Sequence, residues 1–291
     1  VKTLYFPDPG YPVRLNDAED ASLMLYALGK YDFNVGRTVG IVGTRHATPY
    51  GIDFVNRLVA DLASEMAEPV TVVSGLAFGI DAAAHTASLK AQIPTVGVLA
   101  HGLNMIYPAQ HRSLAADMVR RGGALITEYG SGSPIHKGNF VARNRIVAAL
   151  CDCLIVAESA EKGGALITAR LASGYSRDVF ALPGRTSDIY SVGCNKLIKN
   201  NVAALVTEAA DVIKAMNWPV REKESTQREL FVELSSEEQA VMDYLTMHGE
   251  GQLNQLAIAL NVNAGRMMSL LIDMEFKGLV LTYPGGKYRP A

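Results

Sequence analysis

The chain has 291 residues, of which 49% are hydrophobic and 19% charged, and its formal net charge is −2. These values are typical of a globular chain with a sizeable core, exclude a disordered chain, and give no indication of a polyanionic partner. The sequence contains no apolar run of transmembrane length and no signal peptide, so we expect a cytoplasmic protein without a membrane partner.

The predicted elements begin with an N-terminal lead-in, residues 1–35, which carries a predicted helix near residues 17–29. From Val39 onward, short runs rich in Val and Ile alternate with amphipathic segments of helical length. This alternation predicts an α/β, Rossmann-like domain over residues 36–217, with a mostly parallel sheet, helices on both faces, and ligand-binding loops at the carboxyl ends of the strands. The predicted strands are Val39–Gly43, Val70–Ser74, Thr95–Leu99, Ala124–Thr127, Leu154–Ala157 and Val179–Ala181, and the predicted helices are 49–67, 79–92, 109–122, 139–150 and 164–176.

Two further regions follow this domain. Residues 218–234 are charged and poor in apolar side chains, and we interpret them as a linker. Residues 235–291 open on a capping-box pattern, Ser235–Glu238, and continue with three short helical patterns. Two β-rich runs around Pro284 then complete the pattern of a small winged-helix domain.

A basic stretch in the central domain gives the first indication of a ligand. Residues 129–151 contain no acidic side chain and place Lys137, Arg143 and Arg145 beside Phe140. Cations with a ring on which a base can stack favour single-stranded nucleic acid. Since the two arginines are two residues apart, on a helix they face directions about 200° apart, so one can point at the ligand while the other forms an ion pair. Phe140 is equally well explained as a core anchor.

The loop after the first central strand is a candidate phosphate site. Gly43 lets backbone N–H groups approach a phosphate, and Arg45 projects from the same loop. The GxGxxG fingerprint is absent, which disfavours a dinucleotide cofactor. The cysteines are odd in number and form no CxxC pair, which argues against disulfides and against zinc; they are Cys151, Cys153 and Cys194.

The loop after the fifth central strand is a second candidate anion site. Gly163 and Gly164 precede a helix that carries Thr168 in its first turns. The alternative is a tight turn with a Thr cap. Glu158 in the same loop could be a general acid or base, or a hydrogen-bond acceptor for loop backbone or for Arg143.

Other polar side chains after strands have two interpretations each. Asp81 and His85 lie four residues apart on one helix face. They could be an acid/base pair, but we favour a structural role in which Asp81 complements the helix dipole and His85 forms a hydrogen bond with Asp81. His111 and Arg112 could reach a backbone phosphate, or could simply follow a turn.

These residues, in this order, closely resemble the DNA-processing protein A family (DprA, also called Smf). The resemblance covers most of residues 11–206. It implies a protein that binds single-stranded DNA without sequence preference, protects incoming DNA during natural transformation, loads the recombinase RecA, forms dimers, and has neither an established catalytic activity nor a cofactor. The matching motifs are Tyr11-Pro-x-x-Leu, Gly40-x-x-Gly-Thr-Arg, Ser74-Gly-Leu-Ala-x-Gly-Ile-Asp-x-x-Ala-His, Gly102-Leu-Asn-x-x-Tyr-Pro, Phe140-x-x-Arg-Asn-Arg-Ile, Gly163-Gly-Ala-Leu-Ile-Thr-Ala, Pro183-Gly and Gly193-Cys-Asn-x-Leu-Ile.

The resemblance also implies a set of DNA-binding residues and shows three departures. Family members often carry a cation where this chain has Phe78, which should weaken phosphate contact there; they usually have Asp in place of Asn104 and Ser-Gly-Ser in place of Gly163-Gly-Ala. The N-terminal helical module of many members is expected to be absent or truncated. The expected DNA-binding set is Gly43, Arg45, Ser74, Gly75, Lys137, Phe140, Arg143, Asn144, Arg145, Gly163, Gly164 and Thr168.

Two alternatives from other classes remain. One is a nucleotide-processing enzyme of the lysine-decarboxylase-like phosphoribohydrolase type, with Glu158, Asp81 or Glu128 as acid or base. The other is a winged-helix transcription factor. The charge distribution makes this second alternative the weaker one, because residues 36–200 carry 16 Lys and Arg against 12 Asp and Glu, whereas residues 236–291 carry 4 against 6.

Overall fold

The computed structural model describes residues 1–221 and 234–290, and the chain divides into two compact units, Val1–Glu222 and Lys223–Ala291. The strands of the first unit are β1 Lys2–Tyr5, β2 Met24–Gly29, β3 Arg37–Val42, β4 Val70–Ser74, β5 Thr95–Val98, β6 Ala124–Thr127, β7 Cys153–Val156, β8 Asp178–Ala181 and β9 Ala204–Leu205. Its helices are α1 Pro49–Glu65, α2 Ile80–Lys90, α3 Arg112–Arg120, α4 Lys137–Ala149, α5 Gly164–Gly174, α6 Val192–Lys199 and α7 Ala209–Ala215.

One nine-stranded sheet organises the first unit, in the order β1-β2-β6-β5-β4-β3-β7-β8-β9. All pairs from β6 to β9 are parallel, while β1 and β2 join the sheet antiparallel. The predicted mostly parallel α/β fold is confirmed. The chain adds β4, β5 and β6 on one side of β3 and β7, β8 and β9 on the other, so the strand order reverses between β3 and β7. Such a switch point leaves a crevice at the carboxyl ends of the two strands.

Apolar side chains on both faces of the sheet hold the helices in place. Residues of α4, α5 and α6 pack on one face, and those of α1, α2 and α7 pack on the other. Helix α1 shows how the sequence produces this, because Thr48 caps its N-terminus by accepting from Gly51 N and Pro49 occupies its first turn. Its buried stripe, including Phe54, Leu58 and Leu62, faces the sheet. Each such side chain stabilises the fold by about 1.5–3 kcal/mol.

The predicted helix near residues 17–29 is wrong. Its second half is strand β2, which pairs antiparallel with β6, and Leu25 and Ala27 alternate toward the core. The apolar run alone suits a helix, but β6 on one side and β1 on the other pair with the backbone of this segment, and this tertiary context makes it a strand. Gly29 does not end a helix; a Cβ there would lie 2.4 Å from the carbonyl oxygen of Gly123 on the approach to β6.

The second unit contains helices α8 Ser236–His248, α9 Leu253–Ala259 and α10 Ala264–Phe276, and strands β10 Gly251–Gln252, β11 Val280–Tyr283 and β12 Lys287–Pro290. The strands form an antiparallel sheet in the order β10-β12-β11. The expected capping box is present, since the Ser235 hydroxyl accepts from Glu238 N and the Glu238 carboxylate accepts from Ser235 N. The winged-helix assignment stays a prediction.

The predicted linker, residues 218–234, lies mostly outside the described residues. Its first residues belong to the first unit, because Trp218 is buried in the core beside α7 and Val220 forms a β-bridge with Met66. Across residues 1–221 and 234–290, no helix combines the length and the apolar character that a bilayer span requires.

Candidate nucleic-acid interface

A cleft of about 360 Å³ opens at the switch point of the first unit, between the loops that follow β3, β4 and β7 and one side of α4. It brings together residues that are distant along the chain, such as Arg45 with Arg143 and Gly43 with Thr168. Three members of the expected set do not line it, namely Ser74, Lys137 and Arg145. The members that do are Gly43, Arg45, Gly75, Phe140, Arg143, Asn144, Gly163, Gly164 and Thr168.

Backbone hydrogen bonds lock the three loops together. Thr44 N donates to the carbonyl of Glu158 over 2.8 Å, and Ile80 N donates to the carbonyl of Thr44 over 3.1 Å. Gly79 has a φ of +75°, and a Cβ there would lie 2.2 Å from the Thr44 carbonyl oxygen. A Cβ on Gly43 would lie 2.5 Å from Ile80 Cγ1, so this glycine is needed for packing as well as for cleft space. The cleft floor is therefore a fixed surface.

Arg143 is a buried cation at the base of the cleft, with 4% of its surface exposed. Its Nη1 donates to the carbonyl oxygens of Gly75, over 2.6 Å, and of Val98. Burial lowers the pKa of Arg143 while nearby Asp81 raises it, and burial raises the pKa of Asp81. A Cβ on Gly75 would lie 2.6 Å from the guanidinium carbon, so that glycine makes room for it. Arg143 thus joins the ends of β4 and β5 and contributes positive potential to the cleft.

Arg145 faces away from the cleft. Its Nη2 lies 2.5 Å from Glu128 Oε2, and its Nη1 donates to Ser22 Oγ over 3.1 Å. The two arginines therefore point in different directions, as their spacing along α4 predicts. The contact of Arg145 with DNA stays a prediction, and the ion pair with Glu128 already engages its charge. Ser74 is also engaged, since its hydroxyl donates to the Ile41 carbonyl within the sheet.

Exposed cations surround the cleft. Arg45 and Lys162 line it, and Lys137 is exposed at the first position of α4, outside the lining. Within the described parts of the chain, no carboxylate lies within the 4.0 Å ion-pair distance of any of these three side chains. An unpaired surface cation can exchange its counterions for phosphates, so these side chains are suited to a polyanion.

Phe140 is half-buried at the cleft and is not a core anchor. The guanidinium carbon of Arg45 lies 5.7 Å from its ring centroid, which is cation–π distance. On another side, the Tyr107 ring meets it edge to face, with centroids 5.7 Å apart. The ring is therefore held in place by neighbours while it still borders the cleft.

The Gly163-Gly164 turn forms the start of α5 without a side-chain cap. The alternative of a Thr cap is wrong, because Thr168 Oγ1 donates to the Gly164 carbonyl over 3.3 Å, one turn inside the helix. A Cβ on Gly164 would meet nothing within 4 Å, whereas one on Gly163 would lie 2.4 Å from Ser159 Oγ. The turn is open to the cleft on the Gly164 side.

The candidate acids and bases are engaged in structural contacts. The buried Glu158 carboxylate accepts from Thr48 N over 2.8 Å and from Thr48 Oγ1 over 2.5 Å, and so fixes the start of α1. Asp81 Oδ2 accepts from Ala77 N over 3.3 Å. The predicted hydrogen bond between His85 and Asp81 is wrong, because the His85 Nδ1 pairs with Thr95 Oγ1 over 2.6 Å. Complete burial lowers the pKa of His85 to about 3.

The two remaining candidates lie where the chain enters α3. His111 Nδ1 hydrogen-bonds the Leu76 carbonyl over 2.9 Å, and Arg112 is exposed at the first position of α3. Neither side chain lines the cleft.

A family model described as DNA recombination-mediator protein A matches residues 2–217. The chain belongs to this family. It is 40% identical over 205 residues to Protein Smf of Synechocystis sp., which covers 69% of this chain and 50% of that protein, so the chain spans half the length of this relative.

Two solved structures are similar to about three quarters of the chain. DNA processing protein A from Streptococcus pneumoniae superimposes with a TM-score of 0.68 at 37% identity, covering 73% of each chain. The corresponding protein from Helicobacter pylori, studied for its single-stranded DNA binding mode, gives a TM-score of 0.66 at 28% identity and covers 75% of this chain and 97% of that one.

The sequence did not reveal every residue of the cleft. Lys162, His46 and Tyr190 line it as well, and the His46 and Tyr190 rings stack with centroids 6.3 Å apart. Lys162 could have been found, because it directly precedes the candidate anion turn. Tyr190 follows β8 and carried no such signal, since only the fold brings its loop to the cleft.

Proposed function

We propose that the chain is a sequence-independent, single-stranded DNA-binding recombination mediator that protects incoming DNA and helps load RecA during natural transformation. It acts without enzymatic turnover or a cofactor, in the cytoplasm, as a homodimer. The proposal is carried by two cations, Arg45 and Lys162, that have no carboxylate partner among the described residues and line a cleft that Phe140 borders. Membership of a recombination-mediator family and the single-stranded DNA binding described for the Helicobacter pylori relative support it.

The form of the site favours a single strand over a duplex. A flexible backbone can bring individual phosphates to Arg45 and Lys162 while a base reaches Phe140, whereas the bases of a duplex are paired and stacked. Cations recognise phosphates and a ring recognises the face of any base, so neither contact distinguishes sequence. Sequence-independent binding follows from these contact types.

The contacts of the candidate carboxylates favour a mediator over the enzymatic alternative. A phosphoribohydrolase would need a carboxylate available to move a proton, but Glu158 is held by Thr48, Asp81 accepts from Ala77 N, and Glu128 pairs with Arg145. Dimerisation and the RecA contact are proposed from family membership, and size-exclusion chromatography with RecA filament assays on coated DNA would test them.

The site assignment is tested by binding of fluorescent oligo-dT over a salt series, beside a duplex of equal length. With about three phosphates neutralised, the log–log salt slope should be about −2. Arg45→Glu and Lys162→Glu should each weaken binding roughly tenfold or more, since a hydrogen bond to a charged group contributes about 1.5–3 kcal/mol. Lys137→Glu, outside the cleft lining, should have a smaller effect.

Arg266→Glu is the matched control, because it reverses the same charge in the second unit and should leave binding unchanged. A flat salt slope, or equal binding by the cleft variants, would refute the assignment.

A further inference from the structure

A group of exposed aromatic rings lies beside the cleft, outside its lining. Phe78 is 44% exposed and Tyr107 is 47% exposed, in the loops that follow β4 and β5. Phe78 meets His111 edge to face with ring centroids 4.9 Å apart, and Tyr107 meets Phe140 in the same way at 5.7 Å. Edge-to-face pairs fix the rings while they leave ring surface uncovered.

The backbone turns Phe78 outward and holds it there. Leu76, with a φ of +57°, is fully buried, and the next residue, Ala77, lines the cleft. Phe78 then projects to solvent before Gly79 reverses the chain at a φ of +75°. His111 is tied to this same loop through its hydrogen bond to the Leu76 carbonyl, so Phe78 and its ring partner are anchored together.

The same loop abuts the loop that carries Arg45. A Cβ on Gly79 would lie 2.8 Å from the Arg45 carbonyl oxygen, so the two backbones are in direct contact there. Tyr107 is anchored separately, since its backbone N donates to the buried His101 Nε2 over 3.1 Å. The rings therefore adjoin a phosphate-binding cation without belonging to its cleft.

We propose that Phe78, with His111 behind it, and Tyr107 form a platform on which unpaired bases stack while the phosphates of the same strand bind at Arg45. This inference rests on the proposed function. Exposed rings can stack on the bases of a single strand, while neighbouring cations bind its phosphates. Phe78 then contributes base stacking, which does not depend on salt, instead of a phosphate contact.

The test compares the full chain binding oligo-dT with its binding of an abasic oligonucleotide of the same length and charge. The wild-type chain should prefer oligo-dT by roughly tenfold, the size expected for stacking of one or two bases on aromatic rings. Phe78→Ala and Tyr107→Ala should each remove much of this preference, leaving abasic binding and the salt slope unchanged. Phe78→Leu keeps an apolar side chain without the ring and should behave like Phe78→Ala.

Tyr5→Ala is the matched control, because Tyr5 is 49% exposed on β1 at the edge of the sheet and should not alter the preference. Equal wild-type binding of both oligonucleotides would overturn the platform, together with the base contact at Phe140, and leave the phosphate contacts of the proposed function standing. Wild-type behaviour of Phe78→Leu would also overturn it. Failure of the wild-type chain to bind either oligonucleotide would instead refute the proposed function, and the platform with it.

Discussion

The two units differ in whether all of their exposed cations form ion pairs with carboxylates. In the first unit, Arg45 and Lys162 line a cleft without a carboxylate partner among the described residues. In the second unit, every Lys and Arg of residues 234–290 has such a partner. The pairs are Arg266 with Glu237 at 2.7 Å, Lys277 with Glu238 at 2.6 Å, Lys287 with Glu250 at 2.5 Å and Arg289 with Glu250 at 2.7 Å.

We infer from this difference that the pairing of the cations, more than their number, decides which unit is suited to a phosphate backbone. The second unit has cations on its helices and strands, but carboxylates of the same unit compete with any phosphate for them. The exposed side of α10 adds apolar residues at helical spacing, Met268, Ile272 and Phe276. That face suits contact with protein better than contact with a phosphate backbone.

The largest effect is expected from removal of the one buried cation of the cleft. Arg143→Ala leaves the carbonyls of Gly75 and Val98 without their donor and Asp81 without a nearby positive charge. The free energy of unfolding of the first unit should fall by about 3 kcal/mol. Chemical denaturation followed by Trp218 fluorescence measures this selectively, because Trp218 is the only tryptophan and is buried in that unit.

Arg45→Ala provides the comparison, since it removes an exposed cation from the same cleft. It should lower DNA affinity and leave the denaturation midpoint within experimental error. An unchanged midpoint for Arg143→Ala would show that Arg143 is not structural, and the distinction between buried and exposed cations in the cleft would fail.

The fold was predictable where local pattern and tertiary context agree. All six predicted central strands exist, within two residues at each end, because buried Val and Ile runs fit a parallel sheet irrespective of register. Strand β2 was not predicted, since its run of residues 24–29 becomes a strand only through pairing with β6, about a hundred residues later.

The sequence predicted which loops form the site, but it did not predict which side chains and backbone groups contact one another there. Strand ends located Gly43, Arg45 and Gly163 at one edge of the sheet. The sequence could not show that Arg143 is buried against Gly75 and Val98, because those carbonyls come from two other strands. The same limit applies to Tyr190, which reaches the cleft through the fold alone.

A second prediction concerns acid, which should affect the two units at different pH. Burial lowers the pKa of His85 to about 3 in the folded unit. In the unfolded chain His85 binds a proton near pH 6.5, whereas the folded unit binds this proton only at much lower pH. The first unit should therefore lose stability as pH falls below 6.5, by up to about 1.4 kcal/mol per pH unit. Buried Asp81, whose pKa is raised, opposes this trend at lower pH because the folded unit accepts its proton first.

In the second unit, Lys277 and the backbone of Ser235 lower the pKa of Glu238 to about 2. Its stabilising contribution is complete above the unfolded pKa near 4.5 and is lost as pH falls toward 2. Trp218 fluorescence for the first unit and amide exchange in α8 for the second should show this order. His85→Asn should flatten the pH dependence of the first unit between 6.5 and 4.5; an unaltered profile would mean that another group controls it.

The smallest effect is expected from releasing paired cations in the second unit. Lys287 and Arg289 both hydrogen-bond Glu250 and lower the pKa of its carboxyl, so Glu250→Gln removes the charge that engages them. Measured in an Arg45→Glu background, where the cleft binds weakly, Glu250→Gln should raise affinity for oligo-dT by roughly twofold to threefold and make it more salt-dependent. Two released cations can neutralise two phosphates, which is a smaller set of contacts than the cleft of the first unit offers.

Asp243→Asn controls for net charge in this last experiment. It removes one negative charge from the same unit, but Asp243 accepts from Gln239 and has no ion pair with any Lys or Arg that the structure describes, so none of these is released. If pairing is what prevents DNA binding, Asp243→Asn should leave affinity unchanged while Glu250→Gln raises it. If both variants raise affinity equally, the expected difference in DNA binding between the two units depends on overall charge and not on ion pairing.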